Sequence, residues 1–149
     1  MTVEEPLRVT FDVAVPVDHA FDVWTARTAL WWPRAHTVSR APESVVFEPR
    51  AGGRIIERGP DGREHVWGQV TVWEPPRRLS FRWHLFFAVD QATDVSIAFE
   101  PTPGGTRVML EQRGFDALGE SGAQRREGNA SGWAATTAAY RDHLEASEV

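Results

Sequence analysis

The 149-residue chain lacks both cysteine and lysine, so all sixteen of its basic residues are arginines. Without cysteine it can form no disulfide, and it has neither a thiol nucleophile nor cysteine ligands for zinc or iron–sulfur clusters. Without lysine it cannot form a Schiff base with a carbonyl substrate or with pyridoxal phosphate. A chain without disulfides fits a cytoplasmic location, which is the location that we expect.

Long apolar runs and strongly basic segments are also absent. No apolar stretch approaches the roughly 20 residues that a membrane-spanning helix needs, so we expect no integral membrane association. The first residues, Met1 to Pro6, lack the basic segment and apolar run of a secretory signal. The formal net charge of −5 argues against a surface that binds nucleic-acid phosphates.

The recognisable motifs of catalysis are missing as well. The chain has no Gly-x-Ser-x-Gly elbow and no phosphate-binding loop. Its five histidines show no pair at the spacing of a helical metal site; they are His19, His36, His65, His84 and His143. We therefore predict neither a metal site nor a cofactor, and no catalytic residue follows from motifs alone.

Tryptophan is the residue type that stands out, with seven copies. Such large amphipathic rings either fill a core or line a cavity that holds a flat apolar ligand. A chain of this length is expected to form one domain, residues 1–149, that buries enough surface for a substantial core.

Alternating apolar and polar residues predict a series of strands with one buried face each. The segments are 7–15, 44–48, 54–58, 64–74, 79–87, 95–99 and 108–112. Short connections rich in glycine and proline make neighbouring strands antiparallel. One or two short helices follow the first strand, with Asp18 as the expected N-cap and Pro33 as a limit. Both faces of segment 64–74 carry apolar residues, so the pattern leaves open which face points inward.

The last part of the chain, from Ser121 to around Glu145, is predicted to form one long helix. One face of this helix carries Trp133, Thr136, Thr137, Tyr140 and Leu144 at helical spacing. A helix with such a stripe must lie on another element, and the strands before it provide a sheet. A sheet whose helices are segregated from it along the chain is an α+β architecture.

Several short motifs occur in a fixed order: Trp24, Leu30-Trp31-Trp32, Arg50-Ala51-Gly52-Gly53-Arg54, Gly59-Pro60-Asp61-Gly62-Arg63, Trp73-Glu74-Pro75-Pro76-Arg77-Arg78-Leu79, Gly105-Thr106-Arg107-Val108, Arg113-Gly114-Phe115 and Gly132-Trp133. Together they resemble the homologues of the activator of heat-shock-protein-90 ATPase, within the START/SRPBCC superfamily. The resemblance implies a helix-grip fold, in which a curved seven-stranded antiparallel sheet wraps around a long C-terminal helix. It also implies a cavity between sheet and helix. It implies no particular chemistry, because one fold can carry many functions.

We predict that this cavity is lined by aromatic and polar side chains on the inward faces. The candidates are Trp31, Trp32, Glu57, Trp67, Trp83, Leu85, Ile97, Gln112, Trp133, Thr136, Thr137 and Tyr140. For each aromatic residue among them, packing in the core is an equally good interpretation of its position.

Two polar candidates carry specific expectations. For Glu57, an exposed or arginine-paired carboxylate is the interpretation that we favour. An inward Glu57 beside Trp67 would instead be desolvated, with a raised pKa suited to acid–base catalysis. Gln112 lies on the apolar face of its strand and needs partners, which Tyr140, Thr137 or a ligand could supply. We predict that the Tyr140 hydroxyl and Gln112 lie close together at the polar end of the cavity.

The sequence supports three functional hypotheses. The first is a soluble protein that binds a small hydrophobic, aromatic or lipid-like molecule. The second is a cyclase, dehydratase or hydrolase that uses the same cavity, with Glu57, Gln112 and Tyr140 as candidates for its acid or base. The third is a chaperone-interaction module. It ranks last, because we expect no additional N-terminal domain of the kind that takes part in chaperone regulation in the eukaryotic namesakes. The edge strands also leave room for a homodimer.

Overall fold

The protein is described by a computed structural model over residues 5–147. Across these residues seven strands form one antiparallel sheet: β1 (Leu7–Val13), β2 (Ser44–Phe47), β3 (Arg54–Arg58), β4 (Glu64–Glu74), β5 (Arg78–Trp83), β6 (Thr93–Thr102) and β7 (Gly105–Arg113). Their order across the sheet is β1-β7-β6-β5-β4-β3-β2. The predicted seven-stranded antiparallel sheet is therefore confirmed.

The first and last strands of the chain are neighbours in the sheet. β1 pairs with β7 along its whole length, from Leu7 opposite Gln112 to Val13 opposite Thr106. The Thr106 hydroxyl prolongs this contact because it donates to the Val15 carbonyl at 2.8 Å. The edges of the sheet are consequently β1 and β2, and a homodimer formed through either edge stays a prediction.

Three α-helices accompany the sheet among the described residues: α1 (Val17–Ala26), α2 (Thr28–Trp31) and the long α3 (Gly122–Ser147). Short 3₁₀ turns occur at Arg34–His36, Val89–Gln91 and Asp116–Ser121. The expected N-cap of α1 is wrong, since the helix begins at Val17 and the Pro16 carbonyl accepts the Ala20 amide at 2.9 Å. Asp18 lies instead in the first turn, where a carboxylate interacts favourably with the helix dipole.

Strand β4 pairs irregularly with both of its neighbours. On the β3 side one extra residue, Trp67, stands between Val66 and Gly68. On the β5 side a second irregularity lies between Val70 and Val72. Such bulges re-aim the side chains of a strand. Trp67 and Val70 are both buried although they are three positions apart, so neither face read from the sequence points inward throughout.

Strand β5 ends at Trp83, and the predicted continuation to residue 87 is wrong. After Trp83 the chain turns, because the Phe87 amide donates to the His84 carbonyl at 2.6 Å. Within this turn Phe86 has a φ of 70°, in the left-handed region that strand residues do not adopt. Leu85 remains buried, whereas Phe86 and Phe87 are exposed.

The core lies between one face of the sheet and the helices. Phe21 of α1 meets Phe99 of β6 edge to face, with 5.3 Å between ring centroids. Tyr140 of α3 meets Trp24 of α1 in the same way at 4.9 Å. Aromatic pairs of this kind add about 0.5–1.5 kcal/mol each beyond the area that they bury. The contact of Tyr140 with Trp24 holds the C-terminal half of α3 against α1, and the pocket described next lies along the N-terminal half of α3.

Candidate functional site

A pocket of about 110 Å³ lies between α3, the segment that follows α2 and the turn that follows β5. The described residues that line it are Trp32, His36, Trp83, Leu85, Phe86, Phe87, Gly128, Asn129, Gly132, Trp133 and Thr136. Part of the predicted set is among them, namely Trp32, Trp83, Leu85, Trp133 and Thr136. Their role as ligand contacts stays a prediction.

The other predicted lining residues are buried in the core and do not line this pocket. They are Trp31, Glu57, Trp67, Ile97, Gln112, Thr137 and Tyr140. Trp31 is one example of a residue that packs within the core, and its indole N–H donates to the Val23 carbonyl at 2.8 Å. Several of these side chains hold the residues of the pocket wall in place.

Three tryptophan rings form the apolar wall of the pocket. The ring centroid of Trp83 lies 5.6 Å from that of Trp133 and 5.8 Å from that of Trp32. The indole N–H of Trp32 donates to the His36 carbonyl at 3.2 Å, and that of Trp133 donates to Gln112 Oε1 at 2.7 Å. Because these two indole donors are already used, both rings are held in fixed orientations beside the pocket.

Two glycines of α3 leave the opposite side of the pocket open. Gly128 and Gly132 lie one helical turn apart and both line the pocket. A Cβ at position 128 would meet no atom within 4 Å, and one at position 132 would approach the His36 ring only to 3.9 Å. Glycine inside a helix costs about 1 kcal/mol relative to alanine. Packing requires neither glycine, and the space beside each of them is open.

The first glycine of the helix differs from these two. A Cβ at Gly122 would lie 2.0 Å from the carbonyl oxygen of Phe115, so the close approach of the backbone requires glycine there. The fold therefore requires glycine at position 122, whereas packing requires it at neither position 128 nor position 132.

Gln112 lies beneath the pocket with all of its side-chain groups hydrogen-bonded. Its amide nitrogen donates to Thr93 Oγ1 at 2.8 Å and to Asn129 Oδ1 at 3.0 Å, and its oxygen accepts the Trp133 indole N–H. The predicted proximity of Tyr140 and Gln112 is thus replaced by a contact between Gln112 and Trp133. Gln112 therefore positions two residues that line the pocket, Asn129 and Trp133.

Tyr140 has a different partner from the one predicted. Its hydroxyl donates to the Ala20 carbonyl at 2.6 Å, which ties α3 to α1. Burial raises the pKa of Tyr140 well above its usual value, so the hydroxyl keeps its proton. The Thr137 hydroxyl likewise donates to a backbone carbonyl, that of Trp133 at 2.8 Å. The Tyr140 hydroxyl joins two helices and the Thr137 hydroxyl bonds within α3, so neither is a free acid or base.

Glu57 is fully buried, and the favoured expectation of an exposed or arginine-paired carboxylate is wrong. Its oxygens accept the backbone amides of Val38 and Ser39, each at 2.8 Å, and the Trp67 indole N–H at 2.9 Å. Burial alone would raise the pKa of Glu57, but the hydrogen bonds from Ser39, Val38 and Trp67 together hold this pKa below its usual value. The carboxylate stays ionised and fastens the segment before β2 to the sheet, so it is not a poised general acid.

His36 is the titratable side chain among the described residues of the pocket lining. The 3₁₀ turn Arg34–His36 positions it, with the His36 amide donating to the Pro33 carbonyl at 3.0 Å. Neither His36 nor the two glycines were among the predicted site residues. The two glycines could have been recognised from the sequence, because a pair of glycines four residues apart lowers the stability of a helix unless space is needed there.

The mouth of the pocket is bordered by apolar side chains in the turn after β5. Phe86 and Phe87 line the pocket and are exposed by 60% and 43% respectively. The left-handed backbone of Phe86 costs of order 1–3 kcal/mol, and such strain often occurs at functional sites. This rim gives the pocket an apolar entrance.

Two general features complete the description of residues 5–147. No helix in this part of the chain is both long and apolar enough to cross a membrane. No three histidine, aspartate or glutamate side chains within it come together in a group that could hold a metal ion.

A family model described as Activator of Hsp90 ATPase homolog 1-like protein matches residues 14–145. The anthrahydroquino-γ-pyrone synthase Txn09, solved in a complex with a compound labelled SUM, is 31% identical and has a TM-score of 0.65. The match covers 92% of this chain and 95% of that one. No curated protein matches the chain.

Two less identical structures share the fold. Protein MLL2253 from Mesorhizobium loti is 20% identical with a TM-score of 0.74, over 97% of this chain and 100% of that one. DynU16, a protein of the dynemicin biosynthetic locus, is 21% identical with a TM-score of 0.69. That match covers 96% of this chain and 48% of the DynU16 chain. Together these similarities confirm the predicted helix-grip fold.

Proposed function

The chain belongs to the family of Activator of Hsp90 ATPase homolog 1-like proteins, and we propose that it binds a small, flat, largely apolar molecule in the pocket along α3. The observation that carries this proposal is the pair Gly128 and Gly132. They weaken the helix and leave open the space that faces the tryptophan rings. A helix whose only task was to pack on the sheet would favour alanine or leucine at these positions.

The volume of the pocket limits the part of a ligand that it can enclose. A space of about 110 Å³ compares with the apolar cavity of about 150 Å³ that accommodates benzene. Sites for drug-sized ligands are larger, at about 300–1,000 Å³. One aromatic ring therefore fills the pocket, and the second ring of a fused pair, like a lipid chain, would lie over the neighbouring depression that shares Phe86, Phe87, Gly128 and Asn129 with the pocket.

The test compares the binding of a neutral aromatic probe, 2-naphthamide, to three proteins by isothermal titration calorimetry. Gly128→Leu adds bulk where a Cβ meets no neighbouring atom, and leucine is a good helix former. Ala135→Leu adds the same side chain at an exposed position of the same helix and is the matched control. We expect the wild type and Ala135→Leu to bind, and Gly128→Leu to lose about tenfold in affinity or more, which corresponds to about 1.4 kcal/mol. Equal affinities in all three proteins, or no binding by the wild type, would contradict the proposal.

A second candidate function is proton-transfer catalysis of the cyclase or dehydratase type. It is supported by His36 on the pocket wall and by the 31% identity to a protein named as a synthase. An imidazole beside a bound ketone could remove a proton from the carbon next to the carbonyl. Glu57 and Tyr140 are weaker candidates, because hydrogen bonds inside the core already engage both groups.

Deuterium exchange tests this second function with 1-indanone, a flat ketone of two fused rings. If His36 acts as a base, the wild type speeds the uptake of deuterium at the carbon beside the carbonyl, as followed by proton NMR. His36→Gln should bind the ketone but lose the acceleration. Exchange at the buffer rate in the presence of the wild type would exclude this role for His36. The chaperone-interaction hypothesis rests on the family description alone and stays a prediction.

A further inference from the structure

Arg125 of α3 is a buried cation, with only 8% of its surface exposed. Its guanidinium donates to the backbone carbonyls of Gln91 and Trp83. The Phe87 ring covers one face of the guanidinium, with its centroid 3.9 Å from the central carbon. The Nε atom is buried and has no hydrogen-bond partner among the described residues. The neighbours of Arg125 therefore satisfy its hydrogen-bonding capacity only in part.

The charge of Arg125 is not neutralised within the described part of the chain. The ion pairs there involve other arginines, and none of them includes Arg125. Arginine keeps its proton in proteins, so burial does not remove the charge. A buried charge without a counter-ion is costly. Because carbonyl dipoles and one aromatic face compensate this cost incompletely, an anion beside Arg125 would be stabilised.

Arg125 lies next to the proposed binding pocket. It lines a neighbouring depression of about 520 Å³, which shares Phe86, Phe87, Gly128 and Asn129 with the pocket along α3. The two spaces are therefore adjacent along the same face of the helix. A ring in the pocket can extend a substituent toward the guanidinium across Gly128, which has no side chain in the way.

The charge on the lining of the two spaces is positive. The described lining residues of both include no aspartate or glutamate, and Arg125 is their one permanently charged member. The chain as a whole has 21 acidic residues and a net charge of −5, so a lining free of carboxylates differs from the rest of the protein. This local excess of positive charge favours an anionic ligand.

We infer that the ligand is an aromatic acid, whose ring occupies the pocket along α3 and whose carboxylate pairs with Arg125. The inference rests on the proposed function, because it assumes that the pocket binds a ring. It adds the class of ligand, since arginine recognises a carboxylate by paired, charge-assisted hydrogen bonds. Phe87 is 43% exposed, so its ring can move off the guanidinium without opening the core.

The test uses 2-naphthoate and its isosteric carboxamide, 2-naphthamide, with the wild type, Arg125→Gln and Arg126→Gln. Arg126 is the adjacent residue, and its guanidinium donates to the carbonyls of Glu5 and Pro6, so it controls for net charge alone. We expect the wild type and Arg126→Gln to bind the carboxylate about tenfold more tightly than the amide, or more, the scale of one charge-assisted hydrogen bond. In Arg125→Gln the two affinities should become equal, while the affinity for the amide is retained.

The outcomes separate this inference from the proposed function. If the wild type binds the two probes equally, or if Arg125→Gln keeps the preference for the carboxylate, the inference is wrong and the pocket remains a site for neutral rings. If the wild type binds neither probe, the proposed function itself fails. If Arg125→Gln does not fold, the side-chain Nε–H signal of Arg125 in the wild type decides the question: it should shift with 2-naphthoate and stay in place with 2-naphthamide, and a signal that does not move with 2-naphthoate would contradict the inference.

Discussion

The indole N–H of Trp133 donates to the side-chain oxygen of Gln112 across 2.7 Å, and both side chains are buried. This bond joins α3 to β7 beneath the pocket. Gln112 also donates to Asn129, so one amide positions two residues of the pocket wall. The pocket thus depends on a buried polar contact whose loss would leave unpaired groups in the core.

Trp133→Phe should destabilise the fold by about 1–3 kcal/mol, because it leaves Gln112 Oε1 buried without a donor. Urea unfolding measures this loss. Gln112→Met should be destabilising as well, since it leaves the indole N–H of Trp133 unpaired. The double variant should cost less than the sum of the two single changes, because both remove the same bond. Additive costs would show that the two side chains are not coupled.

Gly128→Ala and Gly132→Ala should each stabilise the protein by about 1 kcal/mol, the difference between glycine and alanine inside a helix. The available space supports this expectation, because a Cβ at either position meets no atom closer than 3.9 Å. Higher urea midpoints with unchanged slopes would confirm it. Ala135→Gly, at an exposed position of the same helix, should lower stability by a similar amount and leave probe binding unchanged. A loss of stability in either alanine variant would mean that the glycines serve packing.

Glu57→Gln should destabilise the fold by about 1–3 kcal/mol at neutral pH, because the carboxylate accepts several buried donors. The pKa of Glu57 is lowered in the folded state, so the contribution of its charge is present above the unfolded pKa of about 4.3. That contribution is lost as the pH falls through the lower pKa of the folded state.

Urea unfolding at pH 7 and under increasingly acidic conditions checks the prediction for Glu57. The difference between wild type and Glu57→Gln should shrink as the pH falls below about 4.3. Glu111→Gln removes a carboxylate from exposed ion pairs with Arg8 and Arg113, and should cost less than about 1 kcal/mol at any pH. A pH-independent difference for Glu57→Gln would mean that the carboxylate does not act through its charge.

Tyr140→Phe should cost about 1 kcal/mol of stability, the scale of the hydrogen bond to the Ala20 carbonyl. It should leave the affinity for 2-naphthamide unchanged, because the hydroxyl is engaged by α1 and Tyr140 does not line the pocket. Thermal or urea unfolding and calorimetric titration of the same variant measure both effects. Weaker binding of the amide by Tyr140→Phe would contradict this prediction and indicate that the Tyr140 hydroxyl contacts the ligand.

The strands were predictable wherever one face of a strand is buried, because burial on one side leaves an alternation that the local sequence records. Segment 79–87 shows the limit of this reasoning. Leu85 and Phe87 continue the alternation, yet the chain turns at Phe86. β4 shows another limit, since the extra residue Trp67 reverses the faces of the strand and nothing in the alternation marks a bulge.

The inward direction of Gln112 was predictable from its alternation with Val108 and Leu110, but its partner was not. Trp133 and Tyr140 lie on the same stripe of α3, about 10 Å apart along the helix axis. Which of them meets Gln112 depends on how far the helix is shifted along the sheet, and packing across the whole core sets that shift. The burial of Glu57 could not be predicted for a similar reason. Two of its partners are the backbone amides of Val38 and Ser39, and every residue except proline has such an amide, so the sequence does not mark these two as partners.

The most direct test of ligand binding along α3 is a two-dimensional ¹H–¹⁵N spectrum of the seven tryptophan indoles during titration with 2-naphthamide. The indole signals of Trp32, Trp83 and Trp133 should move together and saturate, because their rings line the pocket. Trp73 is an internal control, since it packs against Phe21 and does not line the pocket, so its signal should stay in place. Signals that do not move at saturating probe, or movement of Trp73 without the other three, would contradict binding in this pocket.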